Sequence, residues 1–575
     1  MPKKYRMLVA SSLALVLVLV SMLGASFVFA KAQSATGAHA NAAPSAKPAT
    51  IHTVSHHTVN MQQVPVATAR SLRGPVRTMP FLTGVSPAVY AQRKAAAAHT
   101  THAPMNTQTT GSVNTPNPLA KFNGMADSGT ICNYFGNGCQ PPDQALAASS
   151  SWVFQGVNTS WAVYSTSGSI QSGWPKNSQN FFGVPNPGSC DTHGPFLSDP
   201  RAFYDPTDGR FWAATLQVEG AFGLNSCPEQ SIYWIAVSQT NNPNGTWNVY
   251  GFNMLLSSGS GVCTTCAADY TEFGFDQTAI YFSGNMFNQT GTAYVYAESF
   301  TALKSTMESG SNVTGYGFYD FLANGVFVDT VQPVENETSS APGAGLLINA
   351  FNMDGDGSSN CASTSCSGLV VWALKNPGQS SISVTGMVIA TKKTYISPPA
   401  ADEPGSPGSI ETLDTRISGT PVFQKSRISF ALETGVNNGT QVVPGIYWGQ
   451  VKPTISSGTI TGATIPQDGY LNFGGDRAAS FGALMETASG KLLMVFDTMS
   501  SKIDPSIMYA TRLTTTPKGT FTKAKYLFQS TTPTSDSRWG DYEATSYDGS
   551  STNNTWFSAQ YSNGDWATYI GEVHF

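Results

Sequence analysis

The chain has 575 residues, of which 41% are hydrophobic and only 11% charged, with 55 glycines and 11% aromatics. An apolar share of that size fills a core and argues against disorder beyond the N-terminal region. A formal net charge of −5 and no basic stripe argue against a nucleic-acid partner.

The chain opens with Lys3, Lys4 and Arg6 ahead of an uncharged apolar run from Met7 to Ala30, which ends on Val28-Phe29-Ala30. This reads as a secretory signal over residues 1–30, cleaved at the small residues. The competing reading is an uncleaved anchor, because the run is long enough to span a bilayer. An extracellular monomer with no membrane contact after cleavage is expected, held at the cell surface if the signal stays.

Residues 31–120 are rich in Ala, Thr, Pro and Ser, and carry His39, His52, His56, His57, His99 and His102. Without sustained periodicity, this segment reads as a flexible linker or pro-segment. Eight cysteines in an exported chain read as disulfides. Close spacing suggests Cys132–Cys139, Cys263–Cys266 and Cys361–Cys366, which leaves Cys190–Cys227 by elimination.

From about residue 121 a unit repeats: a short Asp-bearing motif, then three or four β-rich runs separated by turn residues. The motifs are Pro141-Pro142-Asp143, Ser198-Asp199-Pro200-Arg201, Asp269-Tyr270, Asp329-Thr330, Leu413-Asp414-Thr415-Arg416, Gly475-Asp476-Arg477 and Arg538-Trp539-Gly540-Asp541-Tyr542. Four strands per unit, repeated radially, make a β-propeller blade. The expected fold is therefore all-β: a propeller of seven four-stranded blades over 121–575, with two packed β-sandwiches as the competing fold. The last unit has only three runs. It needs a fourth from the N-terminal side, either just before Asp143 or from "TMPFLTGVSPAVYA" at Thr78, which closes the ring and hides an open edge.

The phrases "PPDQALAASS", "SDPRAFYDPTDGRFW", "IAVSQTNNPNGTW", "ADYTEFGFD" and "RWGDYEATSYD" resemble a group of large secreted bacterial propeller proteins, over about residues 125–575. The resemblance implies the propeller fold and carries no defined activity, and a fold alone does not decide function. The chain departs from the group at Asp269-Tyr270-Thr271, where Pro is expected after the tyrosine, and at Gly475-Asp476-Arg477, where an uncharged stretch is usual.

Inner strands of a propeller start on one face, so Asp143, Asp199, Asp269, Asp414, Asp476 and Asp541 are expected at the channel mouth or at blade seams, with Arg201, Arg416, Arg477 and Arg538 beside four of them. Three readings stay open. The Asp side chains cap turns or accept N–H bonds across seams while the arginines pair with them. Alternatively Asp199, Asp269 and Asp541 serve as acid and base or nucleophile on a glycosidic bond. In that reading Arg201, Arg416, Arg477 and Arg538 hold an acidic sugar, Trp539, Tyr542 and Tyr270 stack on sugar rings, and Glu335, Glu337, Asp402, Glu403 and Glu543 are further candidates. The third reading is Ca²⁺ at Asp354–Gly357 or Asp205–Gly209, set against plain Asp-Gly turns. No other cofactor is implied.

Beyond the linker the only histidines are His193 and His574, and no G-x-S-x-G, H-E-x-x-H or phosphate loop is present. The favoured function is glycan hydrolysis or binding through mouth carboxylates, with an extracellular glycan or cell-surface component as partner. The alternative is a non-catalytic interaction propeller whose Asp/Arg motifs are structural. The two differ in one respect: structural motifs are buried and mutually paired, whereas a catalytic pair stands free in one pocket.

Overall fold

The computed structural model describes residues 42–69, 77–78, 81–82, 86–107, 113–132, 138–191, 193–337, 343–351, 361, 365–536 and 538–575. The chain divides into Met1–Ala42 and Ala43–Phe575. The signal over 1–30, His39 and the Asp354–Gly357 turn lie outside the described residues.

The protein is a β-propeller. Its hydrogen-bonded strand orders group into antiparallel four-stranded units over 144–177, 196–253, 266–323, 332–395, 422–471, 478–528 and 544–574, the last completed from elsewhere in the chain. The second unit is typical: Phe196–Asp205, Arg210–Glu219, Gln230–Ser238 and Thr246–Asn253 pair in sequence order. Its strands read as nearly continuous apolar runs because both faces are covered. Arg210–Glu219 is buried at every position but the first. Wide side chains fill the space between sheets, among them Trp161, Trp212, Trp234, Trp247, Trp372, Trp448 and Trp556, all fully buried.

Ring closure follows the expected principle with a specific strand. Ala120–Ala126 pairs antiparallel with Trp566–His574, Ala120 opposite Glu572 and Ala126 opposite Ala567. The stretch from Thr78 does not supply it. Ser86-Pro87 instead starts a helix over Pro87–Ala97, with Ser86 as N-cap and Pro87 in the first turn.

The flexible-linker reading of residues 31–120 does not hold for Ser45–Asn60, which form a 16-residue strand. Its first half pairs with Thr314–Ala323, Thr50 opposite Tyr316; its second half pairs with Thr246–Asn253, His56 opposite Tyr250. It thereby joins the outer edges of the second and third units into one ten-stranded sheet. Two open edges need a partner, and the β-branched residues Thr50, Ile51, Thr53, Val54, Thr58 and Val59 suit that role. Histidines read as a polar tract are strand residues here: the His56 ring stacks on Tyr250 at 4.4 Å, and His57 Nε2 lies 2.9 Å from the Phe182 carbonyl.

The three disulfides suggested by spacing, Cys132–Cys139, Cys263–Cys266 and Cys361–Cys366, and Cys190–Cys227 reached by elimination are all present. Among the described residues no helix is long and apolar enough to cross a membrane.

Candidate functional site

Six of the seven inner strands are entered through the same backbone device. Asp143, Asp199, Tyr270, Thr330, Leu413 and Phe481 all have φ between 36° and 58°. In the second, third and sixth units this left-handed residue sits in a β-bulge of the inner strand. The Asp motif therefore marks the equivalent position only at Asp143 and Asp199. At Asp269, Asp329 and Asp414 it is off by one residue, and Asp476 lies five residues before Phe481. Asp tolerates this conformation, but the bulge requires only the backbone.

Side chains at these starts stitch the units together. Asp143 Oδ1 accepts the Asp541 N–H at 2.9 Å, and its Oδ2 accepts from Asn158 Nδ2 at 2.8 Å. Asn158 Oδ1 accepts the Asp199 N–H at 2.9 Å, and Asp199 Oδ2 accepts the Thr271 N–H at 3.0 Å. Asn285 accepts the Thr330 N–H at 2.7 Å and Glu433 that of Gly482 at 3.1 Å, the same bond at two further seams. Asn158, Asn285 and Glu433 were missed from sequence. They belong to second strands or follow them, away from the Asp motif.

The arginines fill the space between. Arg201 donates to Glu272 at 2.7 Å and to the Thr271 carbonyl at 3.1 Å, and its guanidinium lies 3.4 Å from the Tyr542 ring. Arg416 grips Asp414 with two bonds of 2.8 and 2.7 Å and lies 4.4 Å from the Tyr270 ring. Arg538 pairs with Asp541 at 2.6 Å under the Phe81 ring, 4.5 Å away. The rings and guanidiniums alternate as Tyr542, Arg201, Tyr270, Arg416, a ladder of cation–π contacts.

Several expected roles give way to this packing. Arg201, Arg416 and Arg538 are at most 6% exposed and committed to protein carboxylates and rings. Tyr542 and Tyr270 are buried under arginines; Trp539 is 1% exposed and donates to Asp497 at 2.7 Å. None of these rings presents a face to a sugar. Arg477 lies elsewhere, against Thr498, Tyr526 and Phe473. Glu335 and Glu337 gather near Asp205 and Tyr547, at the far ends of the inner strands. Glu543 bonds Gln144; Glu403 accepts the Thr534 N–H and Asp402 that of Gly408. The Asp205–Gly209 loop is closed by the Lys304 ammonium, which pairs with both Asp205 and Asp208, so a cation of the protein's own stands where Ca²⁺ was considered. His193 bonds Asp191, and His574 joins Glu572 and Asp548 in a group whose donor atoms all lie within 4.8 Å.

Asp269 differs from its neighbours. The residue is half-buried, and its carboxyl has no hydrogen-bond or ion-pair partner among the described residues. Burial pushes its pKa well above the usual range, helped by Asp199 and Asp541 and opposed by Arg416 and Arg538.

Burial also raises Glu272, Glu335 and Glu433 to about 8. A carboxyl whose pKa is higher folded than unfolded holds its proton more tightly in the native state. Its stabilisation is complete below pH 4.5 and is lost as pH rises through about 8. The melting temperature is therefore expected to be several degrees higher at pH 5 than at pH 8 by calorimetry; an equal or lower value at pH 5 would contradict these assignments.

No family model matches the chain, and no curated protein does. Among solved structures it is similar to an ulvan lyase, a polysaccharide lyase, at 12% identity and a TM-score of 0.37, covering 81% of this chain and 94% of the lyase. A Hadza microbial sialidase aligns at 8% identity and a TM-score of 0.33 over 75% of this chain, which spans 65% of the sialidase's length. A Penicillium chrysogenum α-L-arabinanase complexed with arabinobiose aligns at 11% identity and 0.29, covering 65% of this chain and 92% of the arabinanase.

Proposed function

We propose that this chain is an exported propeller that binds an extracellular glycan and does not hydrolyse it. One observation carries the second half. Glycoside hydrolysis needs two carboxyl groups facing one cavity. At this mouth Asp143, Asp199 and Asp541 are each held by protein donors, and Asp269 alone is free. The motifs lock the ring. The wording shared with large secreted bacterial propellers belongs to the same proposal.

For binding we favour the aromatic group at the seam of the last two units. Phe528 lies 3.9 Å from Tyr561 and 5.1 Å from Tyr569, and Phe528 and Tyr569 are half-buried. Such rings offer an apolar face, with the tyrosine hydroxyls as polar tips, to a hydroxyl-rich polymer. The low charge of the chain fits a neutral ligand.

The test is affinity electrophoresis through gels cast with a panel of polysaccharides, with reducing-end release assayed in parallel from pH 4 to 7. Retardation by at least one polysaccharide is expected, weakened about tenfold in the Phe528→Ala/Tyr569→Ala double variant, with no reducing ends. Release that disappears in Asp269→Asn would restore the hydrolase reading, and no retardation in any gel would end the glycan-binding one.

A further inference from the structure

The mouth is not open to solvent alone. The helix Pro87–Ala97 turns one face toward the ring, with Tyr90, Lys94 and Ala97 at i, i+4 and i+7. Lys94 is only 7% exposed. Its ammonium donates to Thr412 Oγ1 at 2.8 Å and to the Leu413 carbonyl at 2.6 Å, and pairs with Glu411 Oε1 at 3.0 Å. Leu413 is the left-handed residue that precedes the fifth unit. The Tyr90 hydroxyl donates to the same Glu411 oxygen at 2.8 Å. Phe81 packs edge-on to Tyr90 at 5.1 Å, lies over Arg538, and touches the cluster of Tyr270, Leu413, Trp539 and Tyr542.

A surface lysine makes one loose pair and keeps its water. Burying an ammonium is tolerated only where its charge and all its hydrogens are matched. A buried lysine with two hydrogen bonds and an ion pair, a hydrogen-bonded tyrosine and a ring over a guanidinium, all within fourteen residues of one segment, are the marks of a recognition site. The Asp, Asn and Glu bonds described above close five of the seams without them.

We propose that the channel mouth is a peptide-recognition site for a segment presenting an aromatic ring ahead of a helix that carries a tyrosine and a lysine, and that Phe81 and the helix Pro87–Ala97 fill it as a built-in ligand. Release of this segment exposes the Glu411–Leu413 ammonium site and Arg538 to an extracellular polypeptide of the same chemistry. This inference is independent of the glycan reading, which places its ligand elsewhere.

The test uses the full chain with two engineered protease sites, one within residues 62–69 and one within 100–104, so that cleavage frees the helix and leaves Ser45–Asn60 in its sheet. The probe is a fluorescein-labelled peptide of residues 77–97, read by anisotropy. The nicked protein is expected to bind it saturably, the Lys94→Ala or Phe81→Ala peptide at least tenfold more weakly, and the intact chain not at all. An unrelated helical peptide keeping only the Phe, Tyr and Lys at these spacings should compete. Failure of the folded, nicked chain to bind, equal binding of the Lys94→Ala peptide, or no competition would each overturn the proposal. If the nicked chain loses its near-ultraviolet circular dichroism, hydrogen exchange decides instead. In the intact chain Lys94→Ala should speed exchange of the helix amides at least tenfold and leave the inner strands unchanged; unchanged helix exchange would overturn the proposal.

Discussion

Replacing Arg416 by alanine is expected to lower stability by about 3–5 kcal/mol, the range for removing one partner of a buried ion pair. The side chains of Arg416 and Asp414 are 3% and 4% exposed, and the pair is bidentate. Without the guanidinium, the Asp414 carboxylate stays in a site that water barely reaches, and the Tyr270 ring loses the nearer of its two cations. Arg416→Lys should recover little, since one ammonium cannot match the two parallel bonds. Denaturant unfolding measures this directly. A loss below about 1 kcal/mol for Arg416→Ala would show that the mouth pairs are surface-like and the ladder does not bind the units.

Deleting the chain through Asn60 should have an equally large effect of a different kind. The deletion removes Ser45–Asn60 from the middle of a ten-stranded sheet and uncovers the outer strands Thr246–Asn253 and Thr314–Ala323 along their length. Unpaired edges of that kind pair with other chains. Sedimentation should show oligomers or aggregates for the deletion where the intact chain stays monodisperse. A single proline at His56, which faces Tyr250 in the ladder, should weaken the same join by about 3 kcal/mol. A deletion variant that remains monodisperse with an unchanged melting temperature would mean that the strand is an ornament on a ring that is already complete.

The propeller was legible because its signal is repetitive. Each unit brings three or four β-rich runs, and the buried tryptophans recur on second, third or fourth strands. The disulfides were legible because three of them close loops of only a few residues. Ring closure was legible in principle, since three terminal strands leave one edge open.

The arm was not legible for a physical reason. Ser45–Asn60 pairs with one neighbour over its first half and another over its second, so its two faces meet different surroundings and no single alternation runs through it. Its interleaved histidines hide the β-branched residues that do the pairing. The helix Pro87–Ala97 escaped notice because its inward stripe is a tyrosine, a lysine and an alanine, which no apolar periodicity reveals.

The site was legible in its residues and not in its roles. Asp199, Asp541, Arg201, Arg416 and Arg538 do converge. Their types suit both sugar chemistry and seam locking, and only burial and partners separate the two. The repeated feature turned out to be a left-handed backbone position that Asp, Tyr, Thr, Leu and Phe all occupy. An Asp-based alignment follows it in two units and drifts in the rest.

We propose that the mouth carboxylates hold the ring together. The most direct measurement is the thermal melting of three single variants, Asp199→Ala, Asp541→Ala and Asp269→Ala, at pH 6. Asp199→Ala loses the acceptor of the Thr271 N–H, and Asp541→Ala strands the Arg538 charge. Each should cost about 1–3 kcal/mol or more and lower the melting temperature measurably. Asp269→Ala removes a carboxyl without a partner and should melt at or above the wild-type temperature. Wild-type melting for Asp199→Ala and Asp541→Ala, with a marked loss for Asp269→Ala, would contradict the account.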